Sequence, residues 1–140
     1  MNPAIYAALA LAACSAPMGA ALTYTLSDPE LVSYSAGWGD LGIVATPDGE
    51  IVITVERVPD LVVDGVRTQG ASFRDTDTIL IDSALSGFRL AVAVAHEVGH
   101  IVLDTPRHTH CGIMGGEDTQ LCDEDRALAC QQIPYLWGCP

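Results

Sequence analysis

The sequence predicts an α+β fold, and three observations carry that prediction. Thr23 to Asp82 reads as short β-rich runs punctuated by Gly- and Pro-bearing turns. Ser83 to Leu103 has helical length and is apolar on nearly every side, as a buried helix is. Gln120 to Ile133 is amphipathic and stops at Pro134. Strands first, then a buried helix, then a terminal one, imply a small domain with a twisted, mixed or mostly antiparallel sheet at its N-terminal side. With 140 residues there is room for one core and not two.

Residues 1–20 are set apart as a leader and 21–140 as the domain. The run Ala4 to Ala13 has the length of a signal-peptide apolar segment, not of a membrane span. It ends in "LAAC", which resembles the lipobox of bacterial lipoproteins and implies lipidation at Cys14. No Lys or Arg precedes the apolar run, so the charged start of such leaders is missing and cleavage after Ala16 or Ala21 is the alternative. The expectation is an exported protein: a cell-envelope lipoprotein, periplasmic or at the surface, or a secreted one.

Within the domain, "GIVATPDGEIVITVERV" reads as two strands joined at Pro47 to Gly49, and "DLVVDGVRT" repeats the idea at Asp64-Gly65. "GWGDLG", Gly37 to Gly42, fits a dinucleotide-loop pattern, but the β-like "IVATP" follows where a helix is needed, so it reads as a glycine turn. "DTD" at Asp75 to Asp77 would open a calcium loop, yet Ile79 stands where an oxygen ligand is required. A surface turn is the reading, and structural calcium is unsupported. "DTILID" is a short strand, and Ser83 or Ser86 caps the helix that follows.

The net charge of -12 opposes binding to nucleic acid or to an anionic membrane surface. All six cationic residues are arginines, unclustered, so a membrane is reached only through the lipid anchor, and the chain is expected to be a monomer. Apart from Cys14, four cysteines fall near the end: Cys111, Cys122, Cys130 and Cys139. Two disulfides suit an oxidising compartment. A helix over 121–133 would hold Cys122 and Cys130 about 12 Å apart, beyond the reach of about 7 Å between Cα atoms. Pairing 111–122 with 130–139 is favoured for its short loops; 111–130 with 122–139 stays open.

Every histidine lies in "HEVGHIVLDTPRHTHCGIM", residues 96–114. Four residues apart on a helix, His96 and His100 differ by about 40° in direction and about 6 Å in height, so both imidazoles can grip one ion. Zinc suits neutral imidazole, and a catalytic zinc keeps three protein ligands and an open position. Glu97 is placed as general base, taking a proton from the attacking water and passing it to the leaving amine. A core helix would bury these polar groups at a cost of roughly several kcal/mol without partners, which argues against a chance match to H-E-x-x-H. Gly99 leaves room for close packing.

The third ligand is less direct. The metzincin spacing would put glycine at 103 and histidine at 106, where this chain has Leu103 and Pro106. A later glutamate, Glu117 or Glu124, would serve in the gluzincin manner. The segment that follows nevertheless resembles metzincins of the matrixin kind. "CGIMGG" resembles their Met-turn, with Met114 beneath the metal, and "LCDEDRALACQQIPYLWG" their closing helix. The stretch also resembles a bacterial metzincin-like variant whose third histidine comes two places later, here His108. The resemblance covers about residues 78–138 and implies a zincin-type domain with zinc on His96, His100 and His108. His110 is the rival third ligand. Asp104 is placed as an acceptor behind a ligand N–H, and Tyr135 as core packing.

The expected activity is therefore that of a zinc-dependent endopeptidase acting on a peptide or protein substrate laid beside an edge strand, taken as "DTILID". The rival from another class is a non-catalytic, zinc- and disulfide-stabilised binding module at the cell surface. Glu97 opposes it, because a structural zinc site has no use for that carboxylate. A hydrolase of non-protein amides is a third reading.

Overall fold

The structure is a computed structural model and describes residues 20–140. The leader, with Cys14 and its lipidation, lies outside the described residues. β1 (Leu22–Leu26) turns Leu22, Tyr24 and Leu26 to one face, the period of two that a half-buried strand requires. The chain then enters a run of 3-10 turns, Pro29–Leu41, opened by Asp28 accepting the Glu30 N–H and closed by Gly42 in the left-handed region at φ 86°. This run was expected to be strand and glycine turn. It is helical because Pro29 presets the first turn and Leu31, Ser35, Trp38 and Leu41 all reach the core. The "GWGDLG" glycines serve packing: a Cβ on Gly37 would stand 2.2 Å from the Thr119 carbonyl oxygen.

β2 (Ile43–Ala45) and β3 (Ile51–Val58) follow, and they correct the expected hairpin. Both pair parallel to β1, one on each side of it. The link between them steps across β1, with the Gly49 and Glu50 N–H groups donating to the Thr25 and Thr23 hydroxyls. A Cβ on Gly49 would lie 2.3 Å from the Tyr24 carbonyl carbon. Glycine is there for that close approach and not for a hairpin turn.

β4 (Val62–Val63) and β5 (Val66–Arg67) form the expected hairpin, with Asp64 and Gly65 at φ 52° and 80°, the two positive values of a type I′ turn. β6 (Gly70–Phe73) and β7 (Thr78–Asp82) complete a five-stranded mixed sheet of order β2-β1-β3-β7-β6. Three of its four pairings are parallel, so the sheet is mixed but not mostly antiparallel. The 3-10 run links β1 to its parallel neighbour β2, and the β4–β5 excursion lies in the connection from β3 to its parallel neighbour β7, the long links that parallel pairs require. "DTILID" is not at the edge: β7 lies between β3 and β6, and the edge strands are β2 and β6, the latter antiparallel to its neighbour.

α1 (Gly87–Val102) packs on the sheet and the 3-10 run, burying twelve of its sixteen residues. Ile53, Ile79 and Ile81 from the sheet, Trp38 from the 3-10 run and Val94 and Val98 from α1 are all fully buried. Val52, on the sheet's other face, is exposed. The layers are thus two, a sheet and a helical layer, which is an α+β arrangement. α2 (Asp123–Gln132) is capped by Cys122 at its start and by Ile133, just before Pro134, at its end. Cys111–Cys122 ties its start to the loop after α1, and Cys130–Cys139 ties its end to the C-terminal segment. Tyr135 is exposed, so it is not core packing; Leu136 fills that place. No described helix is long and apolar enough to cross a membrane.

Candidate metal centre

α1 carries His96, Glu97 and His100 on its inward side, and its end decides where the next histidine goes. Leu103 does not end the helix in a left-handed turn, but Asp104 does, at φ 48°. The Asp104 N–H donates to Ile101 O and the Thr105 N–H to His100 O, at 3.1 and 3.2 Å, the paired bonds of a Schellman motif. The helix thus ends in a left-handed turn one residue after Leu103, without a glycine. Asp104 points outward to Arg74 at 3.2 Å and accepts nothing from a histidine, which corrects the role placed on it. Pro106 keeps the chain out of helix, and the loop returns His108 to the mouth of the site.

The Nε2 atoms of His96 and His108 each lie 3.2 Å from His100 Nε2, and the three ligand atoms fit within 4.8 Å of one another. His96 Nδ1 faces the Ile113 carbonyl at 2.9 Å and His100 Nδ1 the Thr105 carbonyl at 2.7 Å. A carbonyl only accepts, so both Nδ1 atoms carry hydrogen and both Nε2 atoms present bare lone pairs. Two lone pairs at 3.2 Å repel unless a cation lies between them. Burial lowers both pKa values, that of His100 to about 4, so near neutral pH the cation is not a proton. Three convergent imidazoles, two of them with their Nδ1 hydrogens anchored on backbone carbonyls, fit a divalent metal ion and are compatible with zinc.

Glu97 is buried beside this cluster, and burial raises its carboxyl to about 7, opposed by the Ser72 hydroxyl. Gly70 on β6 makes room for it: a Cβ there would be 3.1 Å from Oε2. A cleft of about 890 Å³ runs past His96, Glu97, His108 and Met114, so the carboxyl faces space for a ligand.

Beneath the cluster Met114 is fully buried, and a Cβ on Gly99 would lie 2.4 Å from its sulfur and 2.5 Å from the Trp38 ring. This is why glycine precedes the second histidine. The sequence reading missed Asp125, at the start of α2. It is fully buried and accepts the N–H groups of Ile113, Met114 and Cys122 at 2.7, 3.0 and 3.1 Å, with the Thr109 hydroxyl at 2.8 Å. One carboxylate thus fixes the loop that supplies the His96 acceptor, the residue after His108 and the methionine floor. Its signal in the sequence was its position three residues after the cap Cys122, as in a capping box.

His110 is not brought to the cluster. Its side chain is 94% exposed and rests on Glu124 at 3.3 Å. Neither Glu117 nor Glu124 joins the three histidines in a metal-holding group among the described residues, nor do Asp75 and Asp77 form one. No family model and no curated protein matches the chain.

Proposed function

We propose that the protein is an exported zinc-dependent endopeptidase of the metzincin kind, with His96, His100 and His108 as ligands and Glu97 as general base. The observation that carries this reading is the close approach of bare Nε2 lone pairs on imidazoles whose Nδ1 hydrogens are already committed. Glu97 supports an enzyme over a structural metal site, because its carboxyl is buried at the cluster and lines the cleft without being one of the ligands. When bound, zinc supplies Lewis acidity, polarising the scissile carbonyl and acidifying water beside it. Glu97 accepts the proton of the attacking water and delivers it to the departing amine. The backbone of β6, open on one side, would hold the substrate as an added strand beside Glu97, in place of the inner strand "DTILID". The two disulfides support an oxidising, extracellular setting, and lipidation at Cys14 is the proposed anchor.

The test is Glu97→Gln, which keeps size and shape. Cleavage of a diverse peptide pool should fall by about 10² or more, with zinc content unchanged. Zinc-loaded native protein that cleaves nothing in the pool would favour the binding module instead.

A further inference from the structure

The cleft beside the histidine cluster has a far end, and Arg89 lines it. The chain has 18 acidic residues against 6 cationic ones, so an arginine finds a carboxylate easily. Arg57, Arg67, Arg74 and Arg126 each lie within 4 Å of one, and Arg107 is hydrogen-bonded by Gln131. Among the described residues, Arg89 has neither an ion pair nor a hydrogen bond, although it is exposed in an acidic molecule. The other cation of the cleft, Arg67, is matched there by Asp82 at 3.6 Å. Arg89 therefore leaves that end of the cleft with an uncompensated positive charge.

Its distance from the metal-ligating residues follows from helix geometry. Arg89 precedes His96 by seven residues, two turns on the same face of α1, or about 10 Å. An extended peptide covers about 3.3 Å per residue, so a ligand group at Arg89 belongs to the third residue from the bond at the cluster. Direction follows from β6. Gly70 lies against Glu97, and Arg74, just past the strand, against Asp104 at the end of α1. β6 thus runs the same way as α1, toward its C-terminal end. A peptide added antiparallel, the better-bonded arrangement, sends its C-terminal side toward Arg89.

We infer that Arg89 is a specificity residue that binds a carboxylate on the third residue after the cleaved bond, either an acidic side chain or the free C-terminus of the substrate. The inference rests on the peptidase reading and names its substrate class. A guanidinium pairs with a carboxylate through two parallel hydrogen bonds, and removing such a charged pair costs about tenfold or more in binding.

The experiment compares kcat/KM of the zinc-loaded native protein and Arg89→Gln on three peptide sets. The first carries glutamate at the third position after the bond with an amidated end far beyond it. The second ends there in a free carboxylate, and the third carries glutamine there and is amidated. Native protein should prefer the first or the second set over the third by about tenfold, which also tells side chain from C-terminus. Arg89→Gln should erase that preference, bringing the rates on the three sets to within about twofold of one another. Equal rates on all three sets with native protein, or a preference that survives Arg89→Gln, would overturn the inference while leaving the peptidase intact. No cleavage of any set or of a diverse pool would remove both.

Discussion

Replacing Asp125 with alanine removes the acceptor of three backbone N–H groups and the partner of one hydroxyl. The position is fully buried, so water does not take over. The Thr109 hydroxyl keeps the Cys111 carbonyl as an acceptor at 2.7 Å, so three N–H groups are left alone, and at about 1 kcal/mol or more each they give about 3 kcal/mol. Removing a buried carboxylate also relieves its own desolvation, so we expect a net loss of about 2 kcal/mol. That is a large share of the roughly 5–15 kcal/mol that holds a domain together. Urea unfolding of the zinc-free protein, disulfides intact, reads this directly. A second readout separates a general loss from the specific role. Ile113 bonds Asp125 through its N–H and His96 through its carbonyl, so zinc affinity, measured against a chelator under folded conditions, should fall about tenfold as for other outer supports of a ligand. A loss below about 1 kcal/mol with unchanged zinc affinity would refute the assignment of Asp125 as the anchor of this loop.

Gly99→Ala should destabilise the protein by about 1–3 kcal/mol, seen in thermal unfolding, because the added methyl meets both the Met114 sulfur and the Trp38 ring. In the zinc-free protein, His100 is held neutral down to about pH 4. The unfolded chain therefore takes up a proton that the folded one refuses, and stability is lost as pH falls from about 6.5 toward 4. Glu97, raised to about 7, works the other way over pH 4.5 to 7, since the folded state keeps its proton and loses stability as pH rises. The two slopes offset, so Glu97→Gln should unmask a steeper acid loss in urea midpoints; an unaltered slope would contradict the raised carboxyl of Glu97.

Much of the site could be read from residue spacing, because H-E-x-x-H on an apolar helix constrains geometry within two turns. The histidine in the loop depended instead on where α1 ends, and Asp104 in the left-handed region fixes that without a glycine to announce it. Sheet topology was less legible. "TPDGE" has hairpin chemistry, yet its glycine answers to the backbone of β1, a partner far away in sequence and close only in the fold. The edge strand β6, Gly70 to Phe73, has only Phe73 to mark it as β. Its glycine and small residues make room for Glu97, so the trait that suits it to the site hid it. Asp125 sits among Asp123 and Glu124, where acidic residues at a helix start look like ordinary dipole compensation; only the fold shows which one turns inward.

Metal content per folded chain, by elemental analysis of the native protein and of His108→Ala and His110→Ala after equilibration with zinc, tests the central claim most directly. The account predicts one zinc per chain in the native protein and in His110→Ala, and none held through chelator washing in His108→Ala. Folded native protein without zinc, or zinc lost in His110→Ala and kept in His108→Ala, would contradict it.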